Sequence, residues 1–180
     1  MTRIPAVLIA EQIELFPVEI LRPEPVPTPE TSRARHQPAG DVYDLGNFFE
    51  VINRTVFKGA LEPCVLRWSR NRWSQTLAIC DVKKRVITVN RALDDARIPE
   101  MVIASIVHHE MLHLYFGVSE GPHGRQRYHT PQFRVAERRF PGFAESEKWL
   151  ADHWPLRGRP AKRRRPEERS FLSYLALMYS

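Results

Sequence analysis

The sequence predicts an α+β domain in the order helix, small sheet, helices. Three observations carry that expectation. Apolar side chains recur at helical spacing between residues 41 and 59. Three short strand-like runs follow between 65 and 90, separated by polar turns. From residue 99 onward, apolar helical patterns succeed one another. Strands segregated from helices in this way build a sheet with helices packed on it, rather than alternating parallel units.

The elements can be justified in order. Phe48, Phe49, Ile52, Val56 and Phe57 mark the first helix, with Asp41 expected to cap its start and Gly59 to close its end. VLRWS (65–69), TLAIC (76–80) and RVITVN (85–90) read as three strands of a small antiparallel sheet, and DVKK (81–84) as a hairpin turn. A second helix runs from about Pro99 to Gly117, since proline suits a first helical turn and glycine a C-terminal cap. It is apolar on almost every side and is expected to be the central buried helix. After the loop SEGPHGRQRYH (119–129), Thr130-Pro131 spells a cap residue followed by proline, and FAESEKWLADHW (143–154) reads as a further helix. The closing SFLSYLALMYS is too short to span a membrane and is expected to dock as a small helix.

Composition divides the chain into three parts. Residues 1–40 hold seven of the fifteen prolines, including RPEPVPTPE, and read as a flexible arm in which EQIELFPVEIL (11–21) could add an edge strand or serve as a docking peptide. Residues 41–155 form the domain. Residues 156–180 carry seven Lys/Arg against two Glu, so most of the net charge of +6 sits in this tail. Cys64 and Cys80 form no CxxC pair and read as reduced thiols of a cytoplasmic protein. The early apolar run from Ile4 to Ala10 is interrupted by Pro5 and makes no secretory signal, and no stretch approaches the ~20 apolar residues of a membrane helix.

The chemistry concentrates in VHHEMLHLYFG (107–117), where ionisable groups interrupt a buried-helix pattern. Burying unpartnered polar groups costs roughly 2–7 kcal/mol each, so something must offset it. His109, Glu110 and His113 spell H-E-x-x-H. Positions i and i+4 lie on one helix face, so both imidazoles can reach a single zinc ion (Zn2+), while Glu110 is rotated by about 100°, near enough to handle a water but not placed as a ligand. His108 lacks an i+4 partner, because position 112 is leucine, and is read as a packed histidine. A catalytic zinc takes three protein ligands and keeps one position open. Position 119 is Ser119, which excludes a third histidine six residues after His113, and leaves His123, His129 and Glu137 as candidates. Geometry favours His129 modestly, because it directly precedes the helix start at Thr130-Pro131.

These segments together resemble the SprT-like, or Spartan-type, metalloprotease domain over roughly residues 44–145. NFFEVINRTVFKGAL is similar to the family's opening helix, VLRWSRN to its first strand, VITVNRAL to the strand leading to the zinc helix, and HHEMLHLYFG to the zinc helix itself. HTPQF (129–133) resembles the family's His-Gly-Pro-x-Phe element, with Thr130 in place of the glycine. The resemblance implies a zincin-like fold, zinc held by His109, His113 and His129, and Glu110 as general base in peptide-bond hydrolysis of protein substrates. Tyr128, Tyr115, Arg125 and His123 are candidates for stabilising the oxyanion. The cysteine zinc ribbon that many members carry after the domain is not visible here.

The tail adds a second theme. Arg157-Gly158-Arg159-Pro160 looks like the core of an AT-hook, in which an extended Arg-Gly-Arg lies in the narrow minor groove of A·T-rich DNA. Lys162, Arg163, Arg164 and Arg165 would add phosphate contacts. Arg67, Trp68, Arg70, Arg72 and Trp73 interleave aromatics with cations, a pattern that suits either single-stranded DNA or a core with a charged rim. The sequence therefore sets a metalloendopeptidase working near DNA, in the cytoplasm or on the nucleoid or chromatin, against a DNA-binding protein with structural zinc and no proteolysis. Glu110 favours the enzyme, since a purely structural site has no use for it.

Overall fold

The computed structural model describes residues 36–120, 126–161 and 170–179. The described residues fold as α1 (Leu45–Thr55), β1 (Val65–Trp68), β2 (Ala78–Asp81), β3 (Val86–Val89), a 3-10 turn at Arg91–Leu93, α2 (Glu100–Phe116), β4 (Ser119–Glu120), β5 (Gln126–Arg127), α3 (Pro131–Arg139), α4 (Phe143–His153) and α5 (Phe171–Met178). The α+β class is as expected. The arm segment EQIELFPVEIL, His123, Arg125 and Lys162 to Arg165 lie outside the described residues.

Helix α1 starts later than the sequence suggested. Asp44, not Asp41, caps it, accepting from the Gly46 N–H at 2.8 Å. The backbone N–H groups of Asp41, Val42 and Tyr43 are taken instead by the buried Asp94 carboxylate, at 2.5, 2.9 and 3.1 Å. This wrap is why residue 40 is glycine: a Cβ there would lie within 2.6 Å of the Asp94 carboxyl atoms. The stretch before α1 also belongs to the body. Gln37 bridges to Arg67, and the Pro38 carbonyl accepts from Leu45 N and from the Trp68 indole N–H. Trp68 is 7% exposed and is therefore a core residue, not a DNA-stacking platform.

The sheet differs from the expected all-antiparallel arrangement. Its order is β1-β3-β2: β2 and β3 pair antiparallel, Ala78 opposite Val89, but β1 and β3 pair parallel, Val65 opposite Val86. Burial explains the placement. All four residues of β3 are buried, as a central strand covered on both faces requires, whereas β2 alternates half-buried and exposed and takes an edge. The β2–β3 connection is the expected tight hairpin, in which Lys84 N–H bonds the Asp81 carboxylate at 3.0 Å. The longer loop 69–77 carries the chain past the slot that β3 fills. Asn90, wholly buried at the end of β3, fixes that loop by donating to the Trp73 and Thr76 carbonyls and accepting from Trp73 N–H.

Helix α2 follows at once and is the hub, lying against α1, α3, α4, α5 and β2. Between Glu100 and Leu114 every residue except Met101 and His109 is buried, which is why its sequence is apolar on nearly all sides. Pro99 and Gly117 stand at its two caps as read from the sequence. The C-terminal segment is built onto the start of α2. Arg97 pairs with the buried Asp95 at 2.6 Å and donates to the Arg157 carbonyl at 2.9 Å, and Ala96 N–H donates to the Ala161 carbonyl at 2.8 Å. Beyond residues 162–169, Phe171 N–H donates to Glu100 at 2.5 Å, and α5 docks with Leu175 fully buried. Among the described residues, no helix is long and apolar enough to cross a membrane.

Candidate metal centre

Two segments of the chain meet at the His109 face of α2. The helix presents His109 and His113 one turn apart. The chain then leaves through Gly117, passes the β4–β5 ribbon, and returns at His129, the residue before the α3 N-cap. Thr130 fixes that return, its Oγ1 accepting from Phe133 N–H at 3.2 Å. Phe133, fully buried, sits against all three imidazoles with ring centroids 5.1, 4.7 and 4.8 Å from those of His109, His113 and His129.

The ring nitrogens converge. Nε2 of His109 lies 3.2 Å from Nε2 of His113 and 3.3 Å from Nε2 of His129, close enough together to hold one metal ion. Tetrahedral zinc with Zn–N bonds of about 2.0–2.1 Å would place its ligand nitrogens about 3.3–3.4 Å apart, so the donor set fits the ion. Chemistry agrees with distance. Nδ1 of His109 lies 2.5 Å from the Glu137 carboxylate, which accepts its proton and leaves Nε2 as a lone pair. Glu137, one of the three candidates for a third ligand, thus stands behind His109 rather than among the converging nitrogens. His129 occupies the third place.

Glu110 is 5% exposed, one residue round the helix from His109. Burial pushes its carboxyl up to about 7, against the opposing influence of His109. Edge strand β2 runs beside α2, and Cys80 on it feels the same carboxylate: burial first, then Glu110, push the thiol upward. Nothing in the sequence reading pointed to that neighbour, because the pairing of β2 with α2 is purely tertiary. Tyr128 borders the cluster, its ring 6.3 Å from that of His113 and its hydroxyl donating to Gln126 at 2.6 Å. Tyr115 instead packs on Phe57. His108 is a core residue, 1% exposed and stacked on Phe140 at 4.2 Å, and burial drives it down to about 3, hence neutral.

The described part of the tail up to Ala161 is held by Arg97 and Ala96, ahead of the start of α2. Arg157 and Arg159 are exposed, and Gly158 between them takes a φ of +86°, a bend rather than an extended Arg-Gly-Arg.

A buried H-E-x-x-H helix, a third histidine delivered by the next helix start, and a small mixed sheet beside them define a zincin-like α+β domain. The chain belongs to the SprT-like family, whose model matches residues 45–147, from the first residue of α1 into α4. No curated protein and no solved structure matches the chain. Family membership makes the matched region a metalloprotease-like domain.

Proposed function

We propose that the protein is a zinc-dependent endopeptidase, with His109, His113 and His129 as ligands and Glu110 as general base. The observation that supports it most is the convergence of three Nε2 atoms beside a buried carboxylate that is not itself a ligand. Zinc bound there supplies Lewis acidity, acidifying water and polarising a carbonyl. Glu110 would take the proton of the attacking water and pass it to the leaving amine, a role open to a buried carboxylate one residue from a ligand. Strand β2 lies at an edge of the sheet among the described residues, a position at which an extended polypeptide substrate could pair.

We further propose that the substrates are proteins bound or crosslinked to DNA, with the tail 156–180 supplying the contact to DNA. Support for the DNA contact is the concentration of charge, seven Lys/Arg against two Glu, which favours polyanions. The Glu110→Gln variant tests the enzyme reading. It should retain one zinc per chain and the wild-type melting temperature while losing casein cleavage by about 10²–10⁴-fold. Equal cleavage by both proteins would leave a metal-binding protein without this mechanism.

A further inference from the structure

Three imidazoles meet at the cluster, and their other ring nitrogens are supported unequally. His109 Nδ1 has the Glu137 carboxylate at 2.5 Å. His113 Nδ1 is buried with no hydrogen-bond partner among the described residues, and His129 is exposed. One helix supplies both the floor and the support of the site. Phe133 and Glu137 are four residues apart on α3 and so share a face, the first seating its ring under the imidazoles and the second reaching His109. The N-cap at Thr130 and the full burial of Phe133 fix that helix before Glu137 is placed. The Glu137 side chain is 17% exposed, so little water competes for its oxygen.

We infer that Glu137 is a positioning residue for the metal. It holds the His109 proton on Nδ1, fixes the ring's rotation about χ2, and so keeps the Nε2 lone pair directed at the point where the three histidines converge. This inference rests on the metal reading above. A carboxylate behind a histidine ligand also raises the basicity of the ligating nitrogen, and its loss lowers metal affinity by roughly 10–100-fold.

The test is zinc affinity, measured by competition with a chromogenic chelator, on full-length wild type, Glu137→Ala, Glu137→Gln and His109→Ala. The alanine variant should bind zinc about 10–100-fold more weakly than wild type. Glutamine keeps an oxygen acceptor but no charge, and should lose roughly two- to tenfold. Proton NMR of the zinc-loaded protein supplies a readout that a packing role would not move: the downfield His109 Nδ1–H resonance should be present in wild type, shifted in Glu137→Gln and absent in Glu137→Ala. Should the alanine variant fail to fold, the glutamine variant decides, and wild-type affinity with an unshifted resonance would overturn the inference. Equal affinity in wild type and Glu137→Ala would overturn it alone. So would a loss in Glu137→Ala as complete as in His109→Ala, which would make Glu137 a ligand. A wild type that takes up no zinc would remove the metal reading and this inference together.

Discussion

His108 and His109 leave α2 about 100° apart, and their rings end in opposite surroundings. The first is sealed between Phe140 and Phe57, driven down to about 3 by burial and then by the adjacent His109. The second meets a carboxylate on one nitrogen and two other histidines on the other. Burial alone would lower His109 too, but Glu137 with Glu110 and Glu147 more than offsets it and raises this residue. The same side chain is thus a neutral aromatic in one position and a polar, oriented donor in the next. The difference lies in what the neighbouring helices bring to each face, not in the histidine.

Truncating each ring in turn separates the two roles. His109→Ala should reduce bound zinc to background and abolish proteolysis, whereas His108→Ala should keep one zinc per chain and lose about 3 kcal/mol of stability through the cavity left beside Phe140. Metal analysis and urea unfolding of the two variants separate these outcomes. Loss of zinc in His108→Ala without loss of fold would contradict the division of roles.

A smaller effect sharpens the same theme of carboxylates set by their partners. Burial would raise Asp95, but the side-chain and backbone donors of Arg97 and the N–H of Ala161 outweigh it and hold the carboxyl below its usual range. A carboxyl lowered on folding contributes stability that is complete above its unfolded value, near pH 4, and is lost as the pH falls further toward the folded value. Thermal melts should therefore show a shallower decline below about pH 4 in Asp95→Asn than in wild type. Parallel acid limbs in the two proteins would show that this ion pair adds nothing to acid stability.

The smallest expected effect concerns the tail. Replacing Arg157 and Arg159 by alanine should weaken binding to A·T-rich duplex more than to G·C-rich duplex at low salt, if the segment straightens into a hook on DNA. A uniform loss would mark a plain basic segment. No loss would remove these two arginines from DNA binding. The φ of +86° at Gly158 makes the contrast informative, because the described conformation is bent.

Much of this architecture was legible because its signals are local. The H-E-x-x-H spacing sits in one helix, Thr130-Pro131 writes its own helix start, and the β2–β3 hairpin is closed by a short turn. His109, His113 and His129 lie within reach of one another, since two share a helix face and the third is tied to a cap, while His123 lies outside the described residues. What the sequence did not reveal depends on distant partners. The parallel pairing of β1 with β3 requires a strand order that no local pattern encodes. Asp41 looked like a cap because nothing nearby shows that Asp94, more than fifty residues on, claims its backbone. Glu137 reads equally well as ligand or support until α3 is docked. Trp68 and Arg67 look like an exposed stacking pair until Pro38 and Thr88 are seen to hold them.

The docking of α5 has a consequence for the order of events during synthesis. Every group that meets at the metal cluster, from His109 to Glu137, is translated before Phe171. The helix that buries Leu175 against α1 and α2, and whose first N–H satisfies Glu100, emerges after them. A nascent chain therefore holds all the residues of its metal site while one flank of the hub helix is still open to solvent. On this vectorial view, α5 closes a scaffold whose reactive residues are already made.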